Sequence, residues 1–306
     1  MDVIQVNSFW IYFLIFMILC PSLCLSKEHH MEIRLEAIEG HNAVIRFEDN
    51  LTNLAKSLLN KYPDIKYELE KTIGWRIDFS PLIILIKDSS TFCRIAGSEN
   101  FVAFAQPIQN LIVIDASKIA IKPFSQEIIL KHELCHLLLH RYVPINSMPK
   151  WLDEGVCQWV TGGIGEILQE KRPSLNNAVL SGALLTFDDL RERFPKDKPS
   201  LNIAYEQSRN IIEFIESTYG TDKIIEILTY MQDGESFENA FKKSISITFK
   251  DFEKKWRASF SPYLFWLLFF SQNIYEIIFF VTAIITMLAF LKYIIKRRRD
   301  AQYQDE

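Results

Sequence analysis

The sequence predicts an α+β fold, with a small sheet in its first half, a helical second half and a transmembrane helix near the C-terminal end. Three observations carry this. Short β-rich runs bounded by turn residues are confined to residues 41–120. From Gln126 onward apolar residues recur almost wholly at helical spacing, broken by Pro and Gly. Strands first and helices after, without β-α-β alternation, is the α+β arrangement. Finally, 49% of the 306 residues are hydrophobic, and the excess sits at the two ends of the chain.

Taken in order, Phe9 to Cys20 (FWIYFLIFMILC) has the length of a signal-peptide core, and Ser22, Cys24 and Ser26 are small enough for a cleavage site. The usual Lys or Arg ahead of the core is missing, so residues 1–26 read either as a signal peptide or as an uncleaved N-terminal anchor. Ala43–Phe47 and Leu82–Ile86 are β-rich, and between them Leu51–Leu69 has helical spacing interrupted at Pro63. Phe101–Ala105 and Leu111–Ile114, joined around Pro107 and Asn110, read as a hairpin. Helices are expected over 126–142, 149–162, about 200–219, 221–232, 236–244 and 250–260.

The aromatic run Tyr263–Phe270 is too short to span a bilayer, and residues 261–276 read as a pre-membrane segment lying in the interface. Ile277–Leu291 carries no charge and, with Lys292 snorkelling, the apolar stretch continues to Ile295, so 277–295 is expected to cross the membrane. Lys296, Arg297, Arg298 and Arg299 follow at once, and short basic flanks stay in the cytoplasm. Residues 296–306 are then a cytoplasmic tail and 27–260 an extracytoplasmic domain. The chain is expected in the cell membrane, single-pass, or two-pass if the leader is retained.

Charge excludes one class of function. The chain has 34 Lys and Arg against 38 Asp and Glu, with no basic run in the outer domain, which argues against nucleic acid as a partner. Of five cysteines, Cys20 and Cys24 lie in the leader, and the remaining Cys93, Cys135 and Cys157 are an odd number, so no disulfide framework is expected.

The chemistry is concentrated in Lys131–His140, KHELCHLLLH. His132, Glu133 and His136 make H-E-x-x-H on a predicted helix, where residues four apart share one face: two imidazoles can grip one metal while Glu133 reaches a water on it. A catalytic zinc needs a third protein ligand. His140 lies one turn further along the same helix, displaced by about 6 Å along its axis, and is expected to be outward-facing or to support the site from behind. Glu154, at the start of the next helix after a turn marked by Pro144 and Pro149, can return to the histidines across a helical hairpin and is taken as the third ligand of one zinc ion per chain. Gln158, one turn beyond Glu154, is expected to hold a histidine ring nitrogen. Asp153 reads as a helix cap, Trp151 and Leu152 as core, and Cys135 and Cys157 as small buried apolar residues off the ligand face. Zinc so held activates water, and Glu133 carries the proton to the leaving amine: peptide hydrolysis.

HELCH followed seventeen residues later by the Glu of WLDEG resembles the gluzincin class of zinc peptidases. More narrowly, the chain is similar to the bacterial peptidase MA-like family over about residues 40–260, through Pro149–Gly155 (P-x-W-L-x-E-G), Tyr205 with Ser208, Tyr219-Gly220 and the closing Phe237–Trp256 stretch. The resemblance implies a thermolysin-like catalytic domain and a peptide or protein substrate. It implies that Tyr205 either donates to the oxyanion or packs in the core, and that the strand before the metal helix, Phe101–Gln106 with Phe101, Ala103 and Ala105, binds extended substrate by strand addition. No Gly-x-Met-Glu-Asn run for a free amino terminus is present, so endopeptidase is the default expectation. The alternative reading is a catalytically silent, membrane-tethered module that binds a peptide or protein on the same fold. An intramembrane protease is excluded by the polarity of Gln126–Arg141.

Overall fold

The computed structural model describes residues 34–119, 125–162, 175–260, 266, 269–271 and 273–302. The expected leader lies outside the described residues, as does most of 261–272. The chain forms two compact units: residues up to 173 with 184–249, and 174–183 with 250–306.

The first unit opens with a hairpin of β1 (Glu36–Gly40) and β2 (Ala43–Phe47), in which Gly40 faces Ala43. Its two-residue loop, His41-Asn42, has positive φ at both positions (53° and 62°), the signature of the primed turns that match strand twist. β1 escaped the sequence reading because it is an outer strand carrying Glu36 and Glu39, with no apolar run to mark it.

The order of the sheet is β1-β2-β3-β5-β4, with β3 at Leu82–Ile86, β4 at Ala103–Gln106 and β5 at Leu111–Asp115. β4 and β5 are the expected antiparallel hairpin, though β4 begins two residues later than predicted. β2 and β3 run parallel, as do β3 and β5, so the sheet is mixed. That corrects the expectation of no β-α-β alternation: parallel neighbours require a crossover, and helix α1 (Thr52–Ile73) supplies the first one.

α1 also corrects its own boundary. It runs through Pro63, because Leu58, Tyr62, Ile65 and Leu69 form a continuous buried stripe whose packing outweighs the hydrogen bond that proline cannot make. A second helix, α2 (Ser89–Ala96), was not predicted; it is capped by Asp88 and closed by Gly97 in the left-handed conformation.

Helix α3 (Gln126–Tyr142) is capped by the Ser125 side chain and is buried from Ile129 to Leu139 except at Lys131. It packs against α1 and β4. After a short 3-10 turn at Ile145–Ser147, α4 (Lys150–Val160) returns alongside it, and α5 (Lys198–Tyr219) covers α4. Trp151 anchors the start of α4 in an aromatic cluster, stacked on Phe249 and met edge-on by Phe187 and Phe237. α6 (Thr221–Gln232) and α7 (Phe237–Ile245) complete the helical layer. The coarse prediction of a small sheet followed by mostly helix therefore holds.

At the boundary of the two units α8 spans Phe249–Ser259; in the second unit α9 spans Ile274–Gln302. Within α9, Ile274–Arg297 is the one stretch among the described residues long and apolar enough to cross a membrane.

Candidate metal centre

α3 carries His132, Glu133 and His136 inward, all 6% exposed or less, and α4 brings Glu154, fully buried, to meet them. The approach depends on the short α3–α4 connection and on the Trp151 anchor one turn before Glu154. His132 Nε2 and His136 Nε2 lie 3.2 Å apart, and each is 3.6 Å from Glu154 Oε2. Ligands held about 2.0–2.2 Å from zinc at tetrahedral angles stand about 3.3–3.6 Å from one another, so this triangle fits three of the four ligands of one ion. Glu154 Oε2, which faces both imidazoles, has no hydrogen-bond partner among the described residues. A buried carboxylate oxygen in that condition suits a cation. Two imidazoles and a carboxylate are a donor set matched to zinc.

Behind the triangle sits Asp153. Its Oδ1 accepts from His136 Nδ1 at 2.7 Å, which leaves the lone pair of His136 on Nε2, where the other two ligand atoms converge. Two expectations are corrected here. Asp153 does not cap α4, and the N-terminal cap position is Pro149. Gln158 does not hold a histidine: its amide donates to the Tyr205 carbonyl at 3.1 Å. Both follow from the pairing of α4 with α5, which turns the Gln158 position toward Tyr205 and the Asp153 position toward α3. Cys157 also lies closer than predicted, its sulfur 3.4 Å from His136 Nδ1, although both Cys135 and Cys157 are buried as expected. Burial, with Cys135 beside it, pushes the Cys157 thiol well above its ordinary range and keeps it neutral.

The charges are mutually adjusted. Burial disfavours the His136 imidazolium, yet the Asp153 and Glu154 carboxylates outweigh it and hold His136 well above the usual histidine range. Burial likewise opposes ionising Asp153 and Glu154; His136 and Lys150 nevertheless hold Asp153, and Lys150 and His136 hold Glu154, well below the carboxylate range. Lys150, which sequence reasoning missed, places Nζ 2.6 Å from Glu154 Oε1. The i, i+4 spacing of a basic and an acidic residue on one helix was the available signal.

Tyr205 is buried, and its hydroxyl donates toward Glu154 Oε1 at 3.5 Å. Phe194 meets its ring edge-on, and Phe101 and Leu201 pack in the same cluster. α4 and α5 come close enough for this because residue 155 is glycine: a Cβ there would lie 2.7 Å from the Ser208 carbonyl oxygen. β4 is the outer strand of the sheet on the side of α3, with Ala103 opposite Ile114 and Ala105 opposite Ile112, while Phe101 precedes it.

The family model described as the peptidase MA superfamily matches residues 93–262, more than half of the chain, including every ligand candidate. The chain belongs to the peptidase MA superfamily. Among solved structures, this peptidase MA member is similar to native leukotriene A4 hydrolase from yeast (13% identity, TM-score 0.43, covering 74% of this chain and 37% of that one). It is also similar to that enzyme in complex with bestatin (14%, TM-score 0.44, 74% and 38%) and to Legionella pneumophila aminopeptidase A in complex with aspartic acid (13%, TM-score 0.42, 73% and 27%). The chain thus spans less than two fifths of the length of these proteins. No curated protein sequence matches it.

Proposed function

We propose that this member of the peptidase MA superfamily is a membrane-anchored zinc metallopeptidase, with a gluzincin, thermolysin-like catalytic domain over residues 27–260. One observation carries the reading: His132 Nε2, His136 Nε2 and Glu154 Oε2 form a buried triangle with edges of 3.2, 3.6 and 3.6 Å, the size of one face of a zinc coordination sphere. Zinc, when bound, lowers the pKa of a coordinated water and polarises the substrate carbonyl. Glu133, next to His132 on α3, takes the proton of the attacking water and passes it to the leaving amine. Tyr205 donates its hydroxyl to the developing oxyanion, a role supported by its position beside Glu154. The substrate is a peptide or protein that adds to the free edge of β4 as an extended strand along Phe101, Ala103 and Ala105, and cleavage is internal.

α9 supplies the anchor. Phe279, Phe280, Ile284, Ile285 and Phe290 are each more than half exposed, so the helix presents a face that water disfavours and lipid accepts. The 24 residues Ile274–Arg297 measure about 36 Å as a helix, enough for a hydrocarbon core of about 30 Å. Lys296 and the arginines after it hold that end in the cytoplasm and leave the catalytic domain outside.

The test is elemental analysis of the full chain purified in detergent, beside Glu154→Ala and Glu133→Gln. About one zinc per chain in the wild type and in Glu133→Gln, lost in Glu154→Ala, together with cleavage of a peptide blocked at both ends by the wild type alone, is the expected result. Zinc binding without any cleavage would mean a silent binding module, and a well-folded wild type that takes up no zinc would sink the metal centre.

A further inference from the structure

We infer that His140 is a positioning residue of the metal centre, acting on His136 through Asp153. The inference rests on the proposed zinc site. His140 stands one turn beyond His136 on α3, about 6 Å further along the axis, too far to share the ion. Its side chain is nevertheless only 7% exposed, and its Nε2 lies 3.2 Å from Asp153 Oδ2.

The two oxygens of Asp153 are thus divided between two imidazoles of the same helix, Oδ1 at 2.7 Å from His136 Nδ1 and Oδ2 at 3.2 Å from His140 Nε2. An ionised carboxylate accepts hydrogen bonds and cannot donate them. It therefore selects the Nδ1–H tautomer of His136, freeing Nε2 for the metal, and the Nε2–H tautomer of His140. A carboxylate held at one oxygen can rotate about its Cβ–Cγ bond; one held at both cannot. His140 supplies the second hold.

Lys150 is the competing explanation for that hold, since its Nζ lies 3.6 Å from the same Oδ2. It is the weaker candidate, because its side chain is 37% exposed and its ammonium is 2.6 Å from Glu154 Oε1. His140 Nδ1 has no hydrogen-bond partner among the described residues, so the ring's polar contact in this region is the one to Asp153.

The experiment is zinc affinity, read by competition with a chromogenic chelator, of the full-length protein in detergent micelles. The variants are His140→Leu, His140→Gln, Asp153→Asn and the double variant His140→Leu/Asp153→Asn. Leucine fills the space without a donor, whereas the glutamine amide nitrogen falls near the position of Nε2. Loss of a second-layer partner weakens metal binding by about 10–100-fold, so His140→Leu is expected to lose about tenfold and His140→Gln to recover most of it. In the Asp153→Asn background the His140→Leu change should have no further effect, since the route through Asp153 is already cut. Wild-type affinity in His140→Leu, equal losses in the Leu and Gln variants, or an undiminished loss in the Asp153→Asn background would each overturn the inference. Thermal melting of the zinc-free proteins reports folding separately. If His140→Leu does not fold, His140→Asn, too short to reach Oδ2, takes its place with the same expectations. A wild type that binds no zinc overturns the metal centre itself, whereas a zinc-binding wild type with indifferent His140 variants overturns only this inference.

Discussion

Gly155 follows the ligand candidate Glu154 on α4, and a Cβ at that position would sit 2.7 Å from both Ile212 Cγ1 and the Ser208 carbonyl oxygen. The isoleucine can turn aside, but the carbonyl belongs to the backbone of α5 and cannot move without the helix. Gly155→Ala gains helix propensity on α4, roughly 1 kcal/mol in an unpacked helix, and forces α4 and α5 apart, which costs about 1–3 kcal/mol. The clash is the larger effect, so the variant is expected to melt several degrees below the wild type and to bind zinc more weakly; a raised melting temperature would mean that the helices separate freely. Single residues also show which parts of the centre were legible. His132, Glu133, His136 and Glu154 could be read because metal chemistry constrains type and spacing together. Asp153 could not, since a carboxylate at the start of a helix suits a cap as well as a ligand support. The packing of α4 between α3 and α5 turns it toward His136 Nδ1. Gln158 was misread for the same reason, its amide going to the Tyr205 carbonyl across α5.

Helix α2, eight residues long, is capped by Asp88, the residue before its first. Asp88 accepts from the Thr91 backbone N–H at 2.8 Å and from the Ser90 and Thr91 hydroxyls, and these bonds, that of Ser90 foremost, hold its carboxyl down at about 2. The ordinary aspartate value is about 3.9. Because the folded value is the lower one, the cap stabilises fully above the unfolded value and loses that contribution as pH falls from about 4 towards 2. Asp88→Ala should therefore melt below the wild type at neutral pH, with the gap closing as the solution is acidified through that window; a gap independent of pH would mean the carboxylate is not the cap. Elements were legible in proportion to their own periodicity. β2, β3, β5 and the long helices announced themselves, but α2 is short, β1 is charged and exposed, and the parallel pairings of β2 with β3 and β3 with β5 depend on crossovers that no local pattern encodes. α1 running past Pro63 is the converse case, a local breaker overruled by a buried stripe.

On the scale of the whole molecule, the unit that carries the candidate metal centre and the apolar helix bury their side chains to opposite extents. The first buries His132, Glu133, His136 and Glu154 among the side chains of α3, α4 and α5, whereas α9 exposes nearly every apolar residue it has. Burial of apolar surface is worth about 25 cal/mol per Å², and a 24-residue span that leaves its many apolar side chains in water forfeits more than the roughly 5–15 kcal/mol by which a domain is stable. The full chain should accordingly sediment with membranes and resist extraction by high salt or alkaline carbonate, yielding only to detergent. A chain ending at Asn273 should move to the soluble extracytoplasmic fraction with its zinc content unchanged, because every ligand candidate lies before that point. Retention of the truncated chain on the membrane would assign an anchoring role to residues 1–26 as well, and a reporter fused after Glu306 decides the orientation: a cytoplasmic signal accords with Lys296–Arg299 as the retained flank, and an external one would place the metal centre in the cytoplasm.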